Sequence, residues 1–144
     1  MNPPHSALRL GGKVPLFYLP TTGGGTSGPA ATRSKYNLVL VFLTNGPQAE
    51  SYLRELSRLY PDLLRNDARV IAVLDTDLET TRNTAAALDL PFALLSDENG
   101  TTASRIMGQS NRAGLCIADR YGVTYSIQPA PTTATLPPAS TALE

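Results

Sequence analysis

The chain is poor in the side chains that most enzyme chemistry uses. It has one cysteine, Cys116, one histidine, His5, and no tryptophan among 144 residues. A lone thiol forms no intrachain disulfide, and a protein-only zinc or haem site needs several sulfur or imidazole ligands. A Ser-His-Asp triad would have to draw on His5, which sits in a proline-flanked arm. The carboxylate pattern of an EF-hand is absent, as are a Walker loop and GxGxxG. Gly23-Gly24-Gly25 runs into Thr26-Ser27-Gly28-Pro29, the composition of a loop rather than of a phosphate-cradling helix start. Charge of one sign is also lacking: 12 basic residues balance 12 acidic ones, so nothing draws the chain to nucleic acid or to an anionic membrane. No apolar run approaches the roughly 18 residues of a membrane span, and no basic amphipathic run would coat a bilayer. The opening MNPPHSALRLGG has no apolar core of a signal peptide. These absences predict a cytoplasmic protein with no metal, no cofactor and no membrane insertion.

What is present begins with Tyr36–Leu64, around which the rest is organised. Leu38 to Leu43, LVLVFL, is an apolar run of the kind found in strands covered on both faces. Thr44-Asn45-Gly46-Pro47 breaks it with turn residues. Tyr52, Leu53, Leu56, Leu59, Tyr60, Leu63 and Leu64 then recur at helical spacing. Pro47 suits the first helical turn. Glu50 and Glu55 lie towards the helix start and Arg58 and Arg65 towards its end, which complements the dipole. Pro61 is expected either to kink this helix or to end it near Tyr60.

The flanking segments are read the same way. Residues 1–11 form a loose arm, 12–127 the domain, and 128–144 a Pro/Thr/Ala-rich tail of poor order. Gly12 to Pro20 reads as a short edge strand between prolines, and Thr21 to Ser34 as a polar loop. Arg69 to Leu74 is a second buried strand. Asp75-Thr76-Asp77 caps a helix over Leu78 to Leu88. Phe92 to Leu95 is a third apolar run, and Thr101 or Thr102 caps a short helix over Ala103 to Met107, closed by Gly108. Gly114 to Ala118 and Val123 to Ile127, joined by Asp119-Arg120-Tyr121-Gly122, form a hairpin. Strands alternating with helices before a final hairpin predict a mixed, largely parallel α/β sheet with helices on both faces. Val39, Val41, Leu53, Leu56, Val70, Ile71, Val73, Leu94, Leu115 and Ile117 are the expected core.

Five strings in this order are similar to the redoxin branch of the thioredoxin-like fold, the peroxiredoxin (alkyl hydroperoxide reductase / thiol-specific antioxidant) family. They are PLFYLP at Pro15–Pro20, NLVLVF at Asn37–Phe42, RVIAVLDTD at Arg69–Asp77, LPFALLSDENG at Leu90–Gly100 and CIADRYGVTYSI at Cys116–Ile127. The resemblance implies thiol peroxidase chemistry from a cysteine in the first turn of the helix after the second strand. There the helix N-terminus lowers the thiol pKa and the thiolate attacks the peroxide. In this sequence that slot spans Pro47–Ser51 and reads Pro-Gln-Ala-Glu-Ser, without sulfur. By the same resemblance Thr44 takes a family hydroxyl position, and Arg112 stands one residue before the place of a thiolate-steadying arginine, which Ala113 holds.

Each candidate residue has a second reading. Cys116 is either a reactive thiol or a small buried hydrophobe between Leu115 and Ile117, and an apolar strand favours the latter. Thr44, Gln48 and Ser51 form either a polar pocket at the helix N-terminus or a set of caps, with Ser51 or Asn45 capping. Glu50 competes there with any anion. Arg112 is either a vestige aimed at the old site or a solvated charge. Asp75, Asp77 and Glu79 are explained by capping and the helix dipole, and Asp97-Glu98-Asn99 by a turn. Tyr52 and Tyr60 belong to the apolar stripe, in the core or at an interface. Two functions follow. One is a redoxin-like module that has lost thiol peroxidase chemistry and acts in binding or assembly, with a protein partner or as a homodimer. The other is a thiol-dependent antioxidant oxidoreductase using Cys116 or a partner's cysteine.

Overall fold

A computed structural model describes residues 9–108 and 110–143. His5 and most of the expected N-terminal arm lie outside the described residues. The chain opens with a two-stranded antiparallel pair, β1 (Leu19–Pro20) and β2 (Thr26–Ser27). The main sheet follows: β3 (Asn37–Leu43), α1 (Pro47–Arg65), β4 (Ala68–Leu74), α2 (Leu78–Leu88), β5 (Leu94–Ser96), α3 (Thr101–Met107), β6 (Ala113–Ala118) and β7 (Thr124–Ala130). Strand order is β5-β4-β3-β6-β7. β3, β4 and β5 run parallel, and β6 lies antiparallel to both β3 and β7. This is the mixed sheet expected, in a thioredoxin-like α/β fold.

The period of two along the central strands divides the core between the faces. Val39, Val41 and Leu43 of β3, with Val70, Ala72 and Leu74 of β4, pack under Leu53, Leu56, Leu59 and Leu63 of α1. Leu38, Leu40 and Phe42 point the other way, to Val14, Phe17, Ile106 and Met107. Both faces are covered, which is why these strands read as continuous apolar runs. All ten expected core residues are buried.

Three local expectations are corrected. α1 continues through Pro61 to Arg65, so of the two outcomes expected of Pro61 the ending near Tyr60 is the one overturned. Pro61 faces solvent, so the carbonyl deprived of its donor has access to water, and buried Leu59 and Leu63 on either side hold the helix to the sheet. The edge strand expected over Gly12–Pro20 is reduced to Leu19–Pro20 and one bridge between Lys13 and Val123. Pro15 has no N–H with which to extend that bridge. α3 is capped by neither Thr101 nor Thr102. The buried Asp97 carboxylate accepts from the Thr102 and Ala103 N–H groups at 3.0 and 2.9 Å.

The segment after Gln128 also differs from the loose tail expected. β7 runs on to Ala130, and two 3-10 turns, Thr133–Thr135 and Ala139–Leu143, lie across α1. Thr133 and Ala139 are buried. Too apolar-poor to form a core alone, this strap shares that of α1 through Leu136 and Ala139.

Candidate functional site

The end of β3 and the start of α1 form the location where open α/β sheets place their ligands. Gly46 turns the chain at φ 146°, a region that favours glycine, and Pro47 opens the helix. No side chain caps α1, so neither Ser51 nor Asn45 has the expected capping role. Instead the Asn45 N–H donates to Asp75 Oδ1 at 2.7 Å.

Thr44 is engaged by the far end of the chain. Its N–H donates to Thr133 Oγ1 at 2.8 Å, and the two hydroxyls lie 2.9 Å apart. Thr133 Oγ1 in turn donates to the Thr44 carbonyl at 3.1 Å, and the Thr133 N–H donates to Thr44 Oγ1 at 3.0 Å. The four contacts satisfy both hydroxyls within one closed set. A turn further along α1, the Tyr52 hydroxyl donates to the Pro137 carbonyl at 3.0 Å. Burial pushes the Tyr52 phenol up to about 12. Between helix and strap lies a cleft of about 530 Å³, with Pro47, Gln48, Ser51 and Glu55 on one wall and Leu136 and Pro138 on the other.

Arg112 reaches the rim of this site. Its Nη2 lies 3.4 Å from Asp75 Oδ2, and the same carboxylate holds the Asn45 N–H. The guanidinium crosses Gly100, where an added Cβ would meet Arg112 Nε at 2.6 Å. Arg112 is thus joined to the β3–α1 turn through a carboxylate, and not to a thiolate.

Cys116 stands apart from all of these. It is fully buried in β6, paired across the ladder with Leu40 and Ile127. Its side chain belongs to the sheet face opposite α1. Burial pushes the thiol up to about 12, against a weaker lowering by Thr124. Thr44, Pro47, Gln48, Ser51 and Arg112 therefore gather at one end of the sheet, and Cys116 does not join them. Reading the sequence missed Thr133 and the Leu136–Ala139 strap, and missed Asp75 as the link to Arg112. Asp77 caps α2 through the Thr80 N–H at 2.7 Å, and among the described residues no acidic, histidine or cysteine cluster suits a metal.

The AhpC/TSA family profile matches residues 10–130, most of the chain. The chain belongs to the AhpC/TSA family. No curated protein sequence matches it. Among solved structures, a mutant of PrxQ from Xylella fastidiosa superposes with a TM-score of 0.75 at 15% identity, over 96% of this chain and 92% of its own. Peroxidoxin BcpB from Mycobacterium tuberculosis gives 0.73 at 17% identity, over 85% and 86%. A yeast mitochondrial 1-Cys peroxiredoxin, described with a thiol resolving mechanism via glutathione/thioredoxin systems, gives 0.75 at 14% identity, over 94% and 73%. At such identities the likeness is one of fold. Among the described residues of this AhpC/TSA chain, no helix is long and apolar enough to cross a membrane.

Proposed function

We propose that this AhpC/TSA-family chain has lost thiol peroxidase chemistry and acts as a binding or assembly module, with a protein partner or a second copy of itself. One observation carries the reading: the start of α1, where family chemistry needs sulfur, holds Pro47-Gln48-Ala49-Glu50-Ser51 and is closed over by Thr133. None of those side chains forms a sulfenate or can be recycled by a thiol. Arg112, at the rim of the old site, is paired with Asp75. Neither nucleic-acid binding nor membrane insertion belongs to this reading, since charge is balanced and none of the residues lining the cleft is basic.

The competing reading, a thiol-dependent antioxidant oxidoreductase, has family membership behind it. Through Cys116 it would need a thiol buried on the wrong face of the sheet to meet peroxide. Peroxide loss with a dithiol reductant, measured beside Cys116→Ser, separates the two. Binding or assembly predicts no turnover above buffer in either protein. Turnover that vanishes in the variant would overturn it. Turnover only when a partner's cysteine is supplied would move the chemistry to that partner. Gln48→Cys asks whether the scaffold survives: peroxide reactivity gained there means that the nucleophile alone was lost.

A further inference from the structure

In an Asn-Gly pair the side-chain amide is open to attack by the next backbone nitrogen, because glycine has no Cβ to hold that nitrogen away. The chain has two such pairs, Asn45-Gly46 and Asn99-Gly100, and both asparagines are exposed. As dipeptides they are equivalent. The fold makes them different at the attacking atom, the glycine nitrogen. Gly100 is shielded. Its N–H donates to the Asp97 carbonyl at 2.9 Å, in the turn that leads into α3. It is buried and crossed by the Arg112 guanidinium, and Asn99 before it is held at φ 68° and ψ 4°. Attack there would have to break that hydrogen bond and turn a residue packed beneath an arginine. Gly46 is open. Among the described residues its N–H has no hydrogen-bond partner, and neither has the Asn45 side-chain amide. A Cβ added at Gly46 would meet nothing nearer than Gln48 Oε1 at 3.9 Å, so the space around the turn is free. Only the Asn45 N–H is engaged, by Asp75 Oδ1 at 2.7 Å, and that bond lies on the far side of the residue from the reacting atoms.

We propose that Asn45 is a modification site, deamidated spontaneously through the Gly46 nitrogen, and that the fold spares Asn99. The Gly46 nitrogen attacks Asn45 Cγ and gives up its proton to the side-chain nitrogen, which leaves as ammonia while a five-membered imide closes. Water then opens the imide. Breaking the bond from Cγ to the Gly46 nitrogen gives aspartate on an unchanged main chain. Breaking the bond from the Asn45 carbonyl carbon to that nitrogen gives isoaspartate, whose main chain runs through Cγ. Solvent water is the only co-reactant, and nothing is oxidised or reduced. Either product puts a carboxylate two residues before Pro47, in a turn where Asp75 already accepts the Asn45 N–H and pairs with Arg112. The uncapped start of α1 favours the new charge and Asp75 opposes it. The cleft that Pro47 and Glu55 line gains acidic character, which favours cationic over anionic occupants. The inference rests on the chemistry of the turn and not on the binding reading.

The wild-type chain carries its own control, so the test needs no variant. Full-length protein is kept warm at mildly alkaline pH, which helps the attacking N–H lose its proton. Samples are taken over time and digested in acid, and deamidation at each asparagine is followed by peptide mass spectrometry. A parallel sample in guanidinium chloride gives the rates without the fold. There the two Asn-Gly pairs should react at similar rates. In native protein Asn45 should react about tenfold faster than Asn99, the factor expected from one hydrogen bond and a covered glycine. Isoaspartate, separated from aspartate by chromatography, should appear at residue 45, as opening of an imide requires. Equal native rates, or Asn99 the faster, would overturn the proposal. So would a gap of the same size in guanidinium, since it would belong to the neighbouring residues and not to the turn. An Asn45 that reacts about tenfold slower folded than unfolded would be shielded after all, and aspartate without isoaspartate would mean direct hydrolysis; either result also overturns it. Peroxide turnover, present or absent, bears on the binding reading and leaves this one untouched.

Discussion

Replacing Thr133 by valine keeps the side-chain shape and removes the hydroxyl on which the strap's latch depends. That oxygen takes part in three of the four contacts with Thr44: the N–H at 2.8 Å, the hydroxyl at 2.9 Å and the carbonyl at 3.1 Å. Valine leaves only the Thr133 N–H donating to Thr44 Oγ1. At about 1 kcal/mol net per hydrogen bond, the direct loss is about 3 kcal/mol. That figure is a ceiling, because a strap that lets go admits water to Thr44. The loss then cannot exceed the free energy holding the strap down. A drop of about 1.5–3 kcal/mol in urea unfolding is expected. Thr133→Ser keeps the latch and should lose less than about 1 kcal/mol. Amide exchange at Thr44 gives the local readout: 2 kcal/mol of easier opening is roughly a 30-fold faster exchange, confined to Thr44 and the strap. Valine stability within about 0.5 kcal/mol of wild type, with Thr44 protection unchanged, would refute the reasoning.

Three further outcomes follow from the same geometry. Cys116 should resist a bulky maleimide in native protein and react on unfolding; rapid native labelling would contradict its burial. Because burial raises its pKa from the ordinary 9.0 to about 12, the unfolded thiol ionises first, so its contribution to stability is complete below about pH 9 and disappears as pH rises towards 12. Tyr52 shifts in the same sense, from 10.0 to about 12, so ultraviolet titration should show a tyrosine ionising late; Thr133→Val should bring it back towards 10.0, and no change would mean that the strap does not shield it. Asp97→Ala removes the acceptor for two N–H groups of α3 and should cost about 1–2 kcal/mol, measured by thermal melting with Asp97→Asn as the milder comparison; a cost below about 0.3 kcal/mol would deny Asp97 its capping role.

The sheet was legible because its information is local. LVLVFL and VIAVL are apolar at every position, as strands covered on both faces are, and Asp77 announces α2 by a contact three residues away. The site was legible only in part. Its position after β3 follows from topology, and its lack of sulfur can be read directly at Pro47–Ser51. What closes it cannot be read that way. Thr44 and Thr133 are 89 residues apart, and Arg112 meets Asp75 across the sheet end with no local pattern to pair them. The Pro/Thr/Ala composition of residues 128–144 signals a segment that cannot build a core of its own, which is correct, but it says nothing about borrowing one. One clue was available on α1 itself. Tyr52 stands in an apolar stripe yet carries a hydroxyl, and a half-buried tyrosine needs an acceptor. The covered strands beneath have committed their carbonyls to the ladders, so the acceptor had to come from something lying over the helix. That something is the Pro137 carbonyl, in the segment whose Pro/Thr/Ala composition had pointed to poor order.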